Sequence, residues 1–200
     1  MSASLALEDV ACRRGGRLLF AGVSLSLAAG GAALVTGANG CGKSSLLRLA
    51  AGLLPPFAGS VAAGGRLALL GEASALDPER RLSEALLLWA RLDALPAPGE
   101  RVAQALAMVA LDDLADIPVR MLSTGQRRRA ALARVIATQA PIWLLDEPAT
   151  GLDTRSIALL ETAMALHRAG GGIVVVATHQ PLDLAGAAML DLAAHCEMAA

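Results

Sequence analysis

Two hundred residues carrying 17 basic and 18 acidic side chains suit one domain, or one domain with a small subdomain, and the net charge of −1 creates no long-range field for nucleic acid or anionic lipid. Hydrophobic residues make up 55% of the chain and aromatic ones only 2%, so its core must be built from Ala, Leu and Val. Three widely spaced cysteines (Cys12, Cys41, Cys196) make neither a disulfide framework nor a metal cluster and fit a reduced, cytoplasmic setting.

The first nine residues include Glu8 and Asp9 and lack the basic start of a secretory signal, so no targeting segment is expected. Residues 5–10 and 18–27 read as strands joined by the basic turn Arg13-Arg14-Gly15-Gly16-Arg17. Residues 18–42 carry no charge, a length that would permit a membrane span. However, Val23, Leu25 and Leu27 alternate with Ser24 and Ser26, which is strand periodicity, and Gly30-Gly31 breaks the run. No transmembrane helix is expected. A further strand over residues 32–36 leads into Gly37-Ala38-Asn39-Gly40-Cys41-Gly42-Lys43-Ser44, and an apolar helix-like run follows. Pro55-Pro56-Phe57-Ala58-Gly59 is a breaker, with short strands expected near Val61 and over residues 67–70. Residues 82–92 and 101–111 read as amphipathic helices separated by a Pro96-Ala97-Pro98-Gly99 linker. A helix over 127–138 follows Leu122-Ser123-Thr124-Gly125-Gln126, and from Ile142 onward short apolar runs alternate with helices, the pattern of parallel βαβ units. An α/β fold is expected.

The run from Gly37 to Ser44 fits the phosphate-loop pattern in the strand-turn-helix context that the motif requires. Its glycines let successive backbone N–H groups point at phosphate oxygens. Lys43 would place a positive charge at the β- and γ-phosphates, and Ser44 a hydroxyl on Mg²⁺. The candidate nucleotide contacts are therefore Gly37, Ala38, Asn39, Gly40, Cys41, Gly42, Lys43, Ser44 and the adjoining Ser45. Cys41 is read as a small filler of the loop, with sensitivity to alkylation as the alternative. The second chemical element is Ile142-Trp143-Leu144-Leu145-Asp146-Glu147, a buried strand delivering two carboxylates. Asp146 would hold Mg²⁺ and Glu147 would orient and polarise the attacking water.

Leu122-Ser123-Thr124-Gly125-Gln126 before a helix resembles the signature of ATP-binding-cassette (ABC) ATPases, usually Leu-Ser-Gly-Gly-Gln. A Ser and a Gly at a helix N-terminus form an anion site from a hydroxyl, N–H groups and the dipole. The resemblance implies a P-loop nucleotide hydrolase with a mainly parallel core sheet, an N-terminal antiparallel β subdomain and a short α-helical signature subdomain. Residues 1–200 would then be one domain, with the core and β subdomain in 1–72 and 139–200 and the helical part in 73–138. It implies ATP and Mg²⁺ as ligands. It also implies a head-to-tail dimer in which Ser123, Gly125 and Gln126 of one copy complete the site of the other. Asp153, in Gly151-Leu152-Asp153, would communicate between the two sites, and His179, ending the strand over 173–178, would contact the γ-phosphate. His167 and His195 have no such placement and are expected at the surface.

The chain departs from the family pattern at three places. No Gln lies between Lys43 and Gln104, so Glu72 is the candidate for the usual metal-linked Gln, with Ala73 the alternative. Cys12-Arg13 stands where an aromatic residue normally stacks on adenine, and Arg13 could stack through its guanidinium plane. Thr124 replaces the signature's first Gly.

Asp116-Ile117-Pro118-Val119 and the run from Leu122 to Arg129 resemble the ABC subfamily of the cytochrome c maturation system, historically called the haem exporter; so do Gly172-Ile173-Val174 and Thr178-His179-Gln180-Pro181-Leu182. That resemblance implies integral membrane partners, a peripheral place on the cytoplasmic face of the inner membrane, and an indirect link to haem or a haem chaperone. An apolar cleft around residues 82–89 should receive a helix of the membrane subunit. The alternatives are the ATPase of another exporter or importer, or a soluble ABC ATPase without a transport partner. Arg127-Arg128-Arg129 is read as a solvated helix face rather than a nucleic-acid contact, since no aromatic residues interleave it.

Overall fold

A computed structural model of the chain describes residues 2–71 and 75–196. Strand β1 (Ser4–Arg14) pairs antiparallel with β2 (Arg17–Ala28) and with β4 (Ala58–Gly64), in the order β2-β1-β4. β1 runs past residue 10 to Arg14 because register shifts around Val10 and Cys12 let the bent strand keep its partner. The expected five-residue basic turn therefore shrinks to Gly15-Gly16, both at positive φ.

The second sheet is parallel throughout, in the order β5 (Leu67–Leu70), β6 (Ile142–Asp146), β7 (Ile173–Ala177), β3 (Ala32–Thr36), β8 (Ala188–Asp191). Its inner strands β6 and β7 are buried at every residue, as a sheet covered on both faces requires. Period-two alternation sorts their side chains. Ile142, Leu144, Ile173, Val175 and Ala177 face α1 (Lys43–Ala50) and the antiparallel sheet, whereas Trp143, Leu145, Val174 and Val176 face a helical layer. That layer comprises α2 (Leu82–Leu92), α3 (Pro98–Met108), α4 (Thr124–Ala137) and α5 (Thr154–Ala169). A one-turn helix α6 (Ala193–Cys196) closes the described chain.

Two expectations for the helices need correction. Pro98 and Gly99 are not linker: Pro98 opens α3, where its missing N–H costs nothing, and the chain turns at Ala97 with φ 51°. α3 ends at Met108, because Leu111 bonds back to Leu106 through a non-helical Ala110. The helical layer is tied together by Arg101, 5% exposed, which donates to both carboxylate oxygens of Asp93 and to the carbonyls of Ala90, Leu95, Pro96 and Ala137. These bonds hold the Asp93 carboxyl below its ordinary pKa. Among the described residues no helix is long and apolar enough to cross a membrane.

Candidate active site

The strand order puts β6, β7 and β3 side by side, so the segments leaving their carboxyl ends meet at one edge of the sheet. After β3 comes the loop from Gly37 to Ser44. Gly42 has φ 107°, and a Cβ there would lie 2.9 Å from the ring of buried Phe20, so only glycine lets the loop enter α1 this closely. Lys43 is 7% exposed, and its Nζ donates to the carbonyls of Gly37 (2.7 Å) and Ala38 (3.2 Å). It lies 4.0 Å from Glu147 Oε1. Ser45 is buried beneath the loop and within hydrogen-bonding reach of the Cys12 thiol.

After β6 come Asp146 and Glu147. Glu147 has φ 47°, a left-handed conformation that costs a non-glycine residue about 1–3 kcal/mol and needs surrounding structure to hold it. Three contacts fix its carboxylate, all from the end of β7. His179 Nδ1 lies 2.9 Å from Oε1, Thr178 Oγ1 donates to Oε2 (3.2 Å), and the His179 amide donates to Oε2 (3.4 Å). With a carboxylate as acceptor, Nδ1 carries the proton. The Glu147 amide donates to Ala177 O, and Arg128 donates to the carbonyls of Asp146, Glu147 and, at 2.9 Å, Gly71.

A cavity of about 490 Å³ is lined by Asn39 and Ser44, by Asp146 and Glu147, by Thr150 and His179, and on the α4 side by Thr124, Arg127, Arg128 and Ala131. Asp146 is 8% exposed, and its Oδ1 has no hydrogen-bond partner among the described residues. A buried carboxylate oxygen left unpaired beside a serine hydroxyl is the donor chemistry that Mg²⁺ takes, because that ion binds through one or two protein oxygens and completes its shell with phosphate and water. The residues present fit the ion.

Ser123, Gly125, Gln126 and Asp153 lie outside that cavity. Ser123 caps α4: its Oγ accepts from the Gln126 amide (3.2 Å) and the Gln126 Oε1 accepts from the Ser123 amide (2.7 Å), a capping box. A Cβ at Gly125 would lie 3.3 Å from Gly151 O, so the start of α4 packs on the turn that precedes Asp153. Asp153 caps α5 through the Ser156 amide (2.8 Å), and its bonding to Ser156 holds its carboxyl below the ordinary value.

Several expectations change. Arg127, Arg128 and Arg129 are not a solvated face: Arg127 docks on Leu122 O and Arg129 on Val109 O and Ala110 O, alongside the Arg128 bonds above. The guanidinium of Arg13 stacks on Phe57, 4.5 Å from its centroid. His167 is half-buried, stacked on Trp143 at 3.9 Å with its Nε2 against Pro141 O, and burial lowers its pKa. His195 is also partly buried, against Ala21 O. Glu72 and Ala73 lie outside the described residues. The supporting roles of Thr178 and Arg128 went unread; a Thr immediately before His179 and an Arg one turn into the signature helix were the signals available.

This fold and this cluster are those of a P-loop nucleotide hydrolase of the ABC type, and residues 20–150 match the family model of the ABC transporter. The chain is 58% identical over 184 residues to the cytochrome c biogenesis ATP-binding export protein CcmA of Sphingopyxis alaskensis, covering 92% of this chain and 94% of that one. To the CcmA of Zymomonas mobilis subsp. mobilis it is 52% identical, covering 96% and 85%. A solved structure of the ATP-binding subunit of an ABC transporter superposes with a TM-score of 0.79 at 23% identity, covering 88% of this chain and 79% of that one, a likeness of fold. The chain belongs to the ABC transporter family, among the CcmA ATP-binding proteins, and is an ATP-binding and ATP-hydrolysing subunit.

Proposed function

We propose that the chain hydrolyses ATP, with Mg²⁺, for a membrane complex of cytochrome c biogenesis, coupling hydrolysis to haem export or to release of a haem-loaded chaperone. The observation that carries the catalytic part is the convergence of Ser44, Asp146, Glu147 and His179 on one cavity beside Lys43. The names of relatives above half identity support the biological part.

In this reading the loop amides from Gly40 to Ser45 cradle the triphosphate, and the Lys43 ammonium exchanges its two loop carbonyls for the β- and γ-phosphate oxygens. Ser44 and Asp146 would hold Mg²⁺, which would supply positive charge against the phosphates. Glu147 accepts a hydrogen bond from the attacking water while Thr178 and His179 keep its carboxylate in place. The second copy of the chain supplies the remaining contacts. Ser123 Oγ accepts one bond from its own helix and its O–H makes none there, so that proton is left to donate to the neighbour's γ-phosphate, with the Gly125 amide beside it. Asp153, at the N-terminus of α5, lies at that head-to-tail interface.

The cleft expected around residues 82–89 is displaced, since Leu82, Ala85 and Leu86 are buried in the core: a groove of about 1,130 Å³ between α2 and the edge strand β5 exposes Leu53 and Leu92 beside Trp89 and Leu69. This is where an amphipathic helix of an integral membrane partner would dock, placing the subunit peripherally on the cytoplasmic face.

Glu147→Gln should bind ATP as the parent does, lose about 10²–10⁴-fold in turnover and accumulate as a nucleotide-bound dimer. Normal turnover would remove Glu147 from the role. Deleting the gene in its native host should abolish haem-stained c-type cytochromes, with rescue by the parent gene and not by Glu147→Gln. Intact cytochrome c in the deletion strain would overturn the biological assignment and leave the ATPase standing.

A further inference from the structure

The phosphate loop carries a thiol at Cys41, and the last described residue of the chain brings a second one to it. Cys196 Sγ donates to Cys41 O at 3.5 Å, which sets the two cysteines side by side. The position of Cys196 is not accidental to a loose end. α6 is fixed by the Leu192 amide to Thr36 O, by the Ala193 amide to Asp191 Oδ1, by the Cys196 amide to Leu192 O and by His195 Nδ1 against Ala21 O. These anchors return the chain, 155 residues downstream, to the carboxyl end of β3 from which the loop springs. Burial and the neighbouring Cys41 push the Cys196 thiol up, which keeps it protonated and makes it the donor of the pair.

On its other side, Cys41 is wedged into the loop itself. A Cβ at Gly37 would lie 2.7 Å from Cys41 Sγ, so the sulfur rests directly on the backbone of Gly37, whose carbonyl holds Lys43. Any bond formed by Cys41 therefore acts on the two ends of the loop at once. The third cysteine, Cys12, is 1% exposed and packed against Ser45, out of this pair.

We propose that Cys41 and Cys196 form a reversible disulfide that ties the phosphate loop to α6 and switches off triphosphate binding, a reading that rests on this loop being the nucleotide site. The oxidant is a hydroperoxide. The Cys41 sulfur attacks one peroxide oxygen, the O–O bond breaks, and Cys41 becomes a sulfenic acid while water (or the alcohol) leaves. The Cys196 sulfur then attacks the Cys41 sulfur, the S–O bond breaks, and a second water leaves with the Cys196 proton. Two thiols lose two electrons and two protons, and the peroxide takes them up. A dithiol reductant reverses the bond by exchange. The S–S bond draws Cys41 toward α6 and away from Gly37, so the amides of residues 40–43 no longer converge on a phosphate.

The test uses the full chain, reduced or treated with hydrogen peroxide, and reads two quantities separately. Mass spectrometry should show a loss of two hydrogens and a peptide pair linking Cys41 to Cys196, in protein whose circular dichroism is unchanged. ATP binding should weaken by at least tenfold in the linked protein and return on adding a dithiol. Cys196→Ser should bind ATP like the parent when reduced and form no link, while Cys12→Ser should form the Cys41–Cys196 link as the parent does. Linked protein that binds ATP with the parent's affinity would overturn the switch, and so would folded, peroxide-treated protein with both thiols unlinked. Failure of the reduced parent to bind ATP would instead overturn the nucleotide-site reading, and the mass measurement would still report on the pair.

Discussion

The two faces of the parallel sheet are held by different means. The face toward α1 is closed by alternation alone: Ile142, Leu144, Val175 and Ala177 meet Leu46, Leu47 and Leu49, with Phe20 beneath the loop. The helical face has a comparable apolar lining, but it also carries a set of arginines that end on backbone carbonyls. Arg101 closes the corner between α2, α3 and α4, Arg128 joins α4 to the ends of β5 and β6, Arg129 joins α4 to the end of α3, and Arg134 reaches Leu69 O on the edge strand beneath Trp89. Apolar packing tolerates small sliding, whereas a guanidinium bonded to several carbonyls has one geometry. The helical layer is thus fastened to the sheet at discrete points of fixed geometry, whereas α1 is held by the shape of its apolar contacts.

Removing the most buried fastener should have the largest effect on stability. Arg101→Met strips four carbonyls of their donor and Asp93 of its forked partner, leaving that carboxylate the Leu95 amide and the more exposed Arg66, and should cost about 3–5 kcal/mol in a denaturant titration. Because Arg101 depresses the Asp93 pKa, the pair contributes fully above the ordinary carboxylate range and is lost as pH falls through the lower, folded value. The deficit of the variant should therefore be constant from about pH 5 upward and shrink below about pH 4. A deficit that grows on acidification would contradict the assignment.

Arg128 and Arg129 sharpen the comparison, since both sit on α4 and only one reaches the site. Either Arg→Lys change keeps the charge and loses the fork, at about 1.5–3 kcal/mol. Arg128→Lys should also lower turnover in the folded protein, because the carbonyls of Asp146 and Glu147 lose their clamp. Arg129→Lys, whose bonds among the described residues go to Val109 O and Ala110 O, should leave turnover per folded molecule unchanged. Equal turnover losses would show that Arg128 acts through stability alone.

This division also explains what the sequence disclosed. Strands β3, β6 and β7 and the residues at their ends were legible, because a short continuous apolar run and a motif fixed to a strand end are local properties. Arg128 and Arg129 were misread as part of a solvated face because their partners Gly71, Glu147 and Val109 lie 19 or more positions away in the chain, whereas Arg127 reaches back only to Leu122. Nothing local marks a carbonyl as awaiting a guanidinium. His167 failed for the same reason, since Trp143 and Pro141 are brought to it by β6. The start of α3 was missed for a different one: a Pro beside a Gly reads as a breaker unless the first helical position is recognised as the place where Pro is tolerated. The Cys41–Cys196 contact needed β8 and α6, two short elements that alternating apolar runs did not resolve.

The smallest expected effect separates the two roles of Ser123. Ser123→Ala removes the α4 cap and should cost about 1 kcal/mol, so a loss of hydrolysis in it would be ambiguous between a frayed helix and a missing phosphate contact. Ser123→Asp removes that ambiguity. Aspartate caps a helix about as well as serine, so stability should stay within about 0.5 kcal/mol of the parent. A carboxylate facing a neighbour's γ-phosphate is repulsive and has no proton to donate, so ATP-dependent dimerisation and hydrolysis should both fail while ATP binding to the chain's own loop survives. Retained hydrolysis in Ser123→Asp would mean that the start of α4 only fastens the helical layer, and that the second copy completes the site with something other than Ser123.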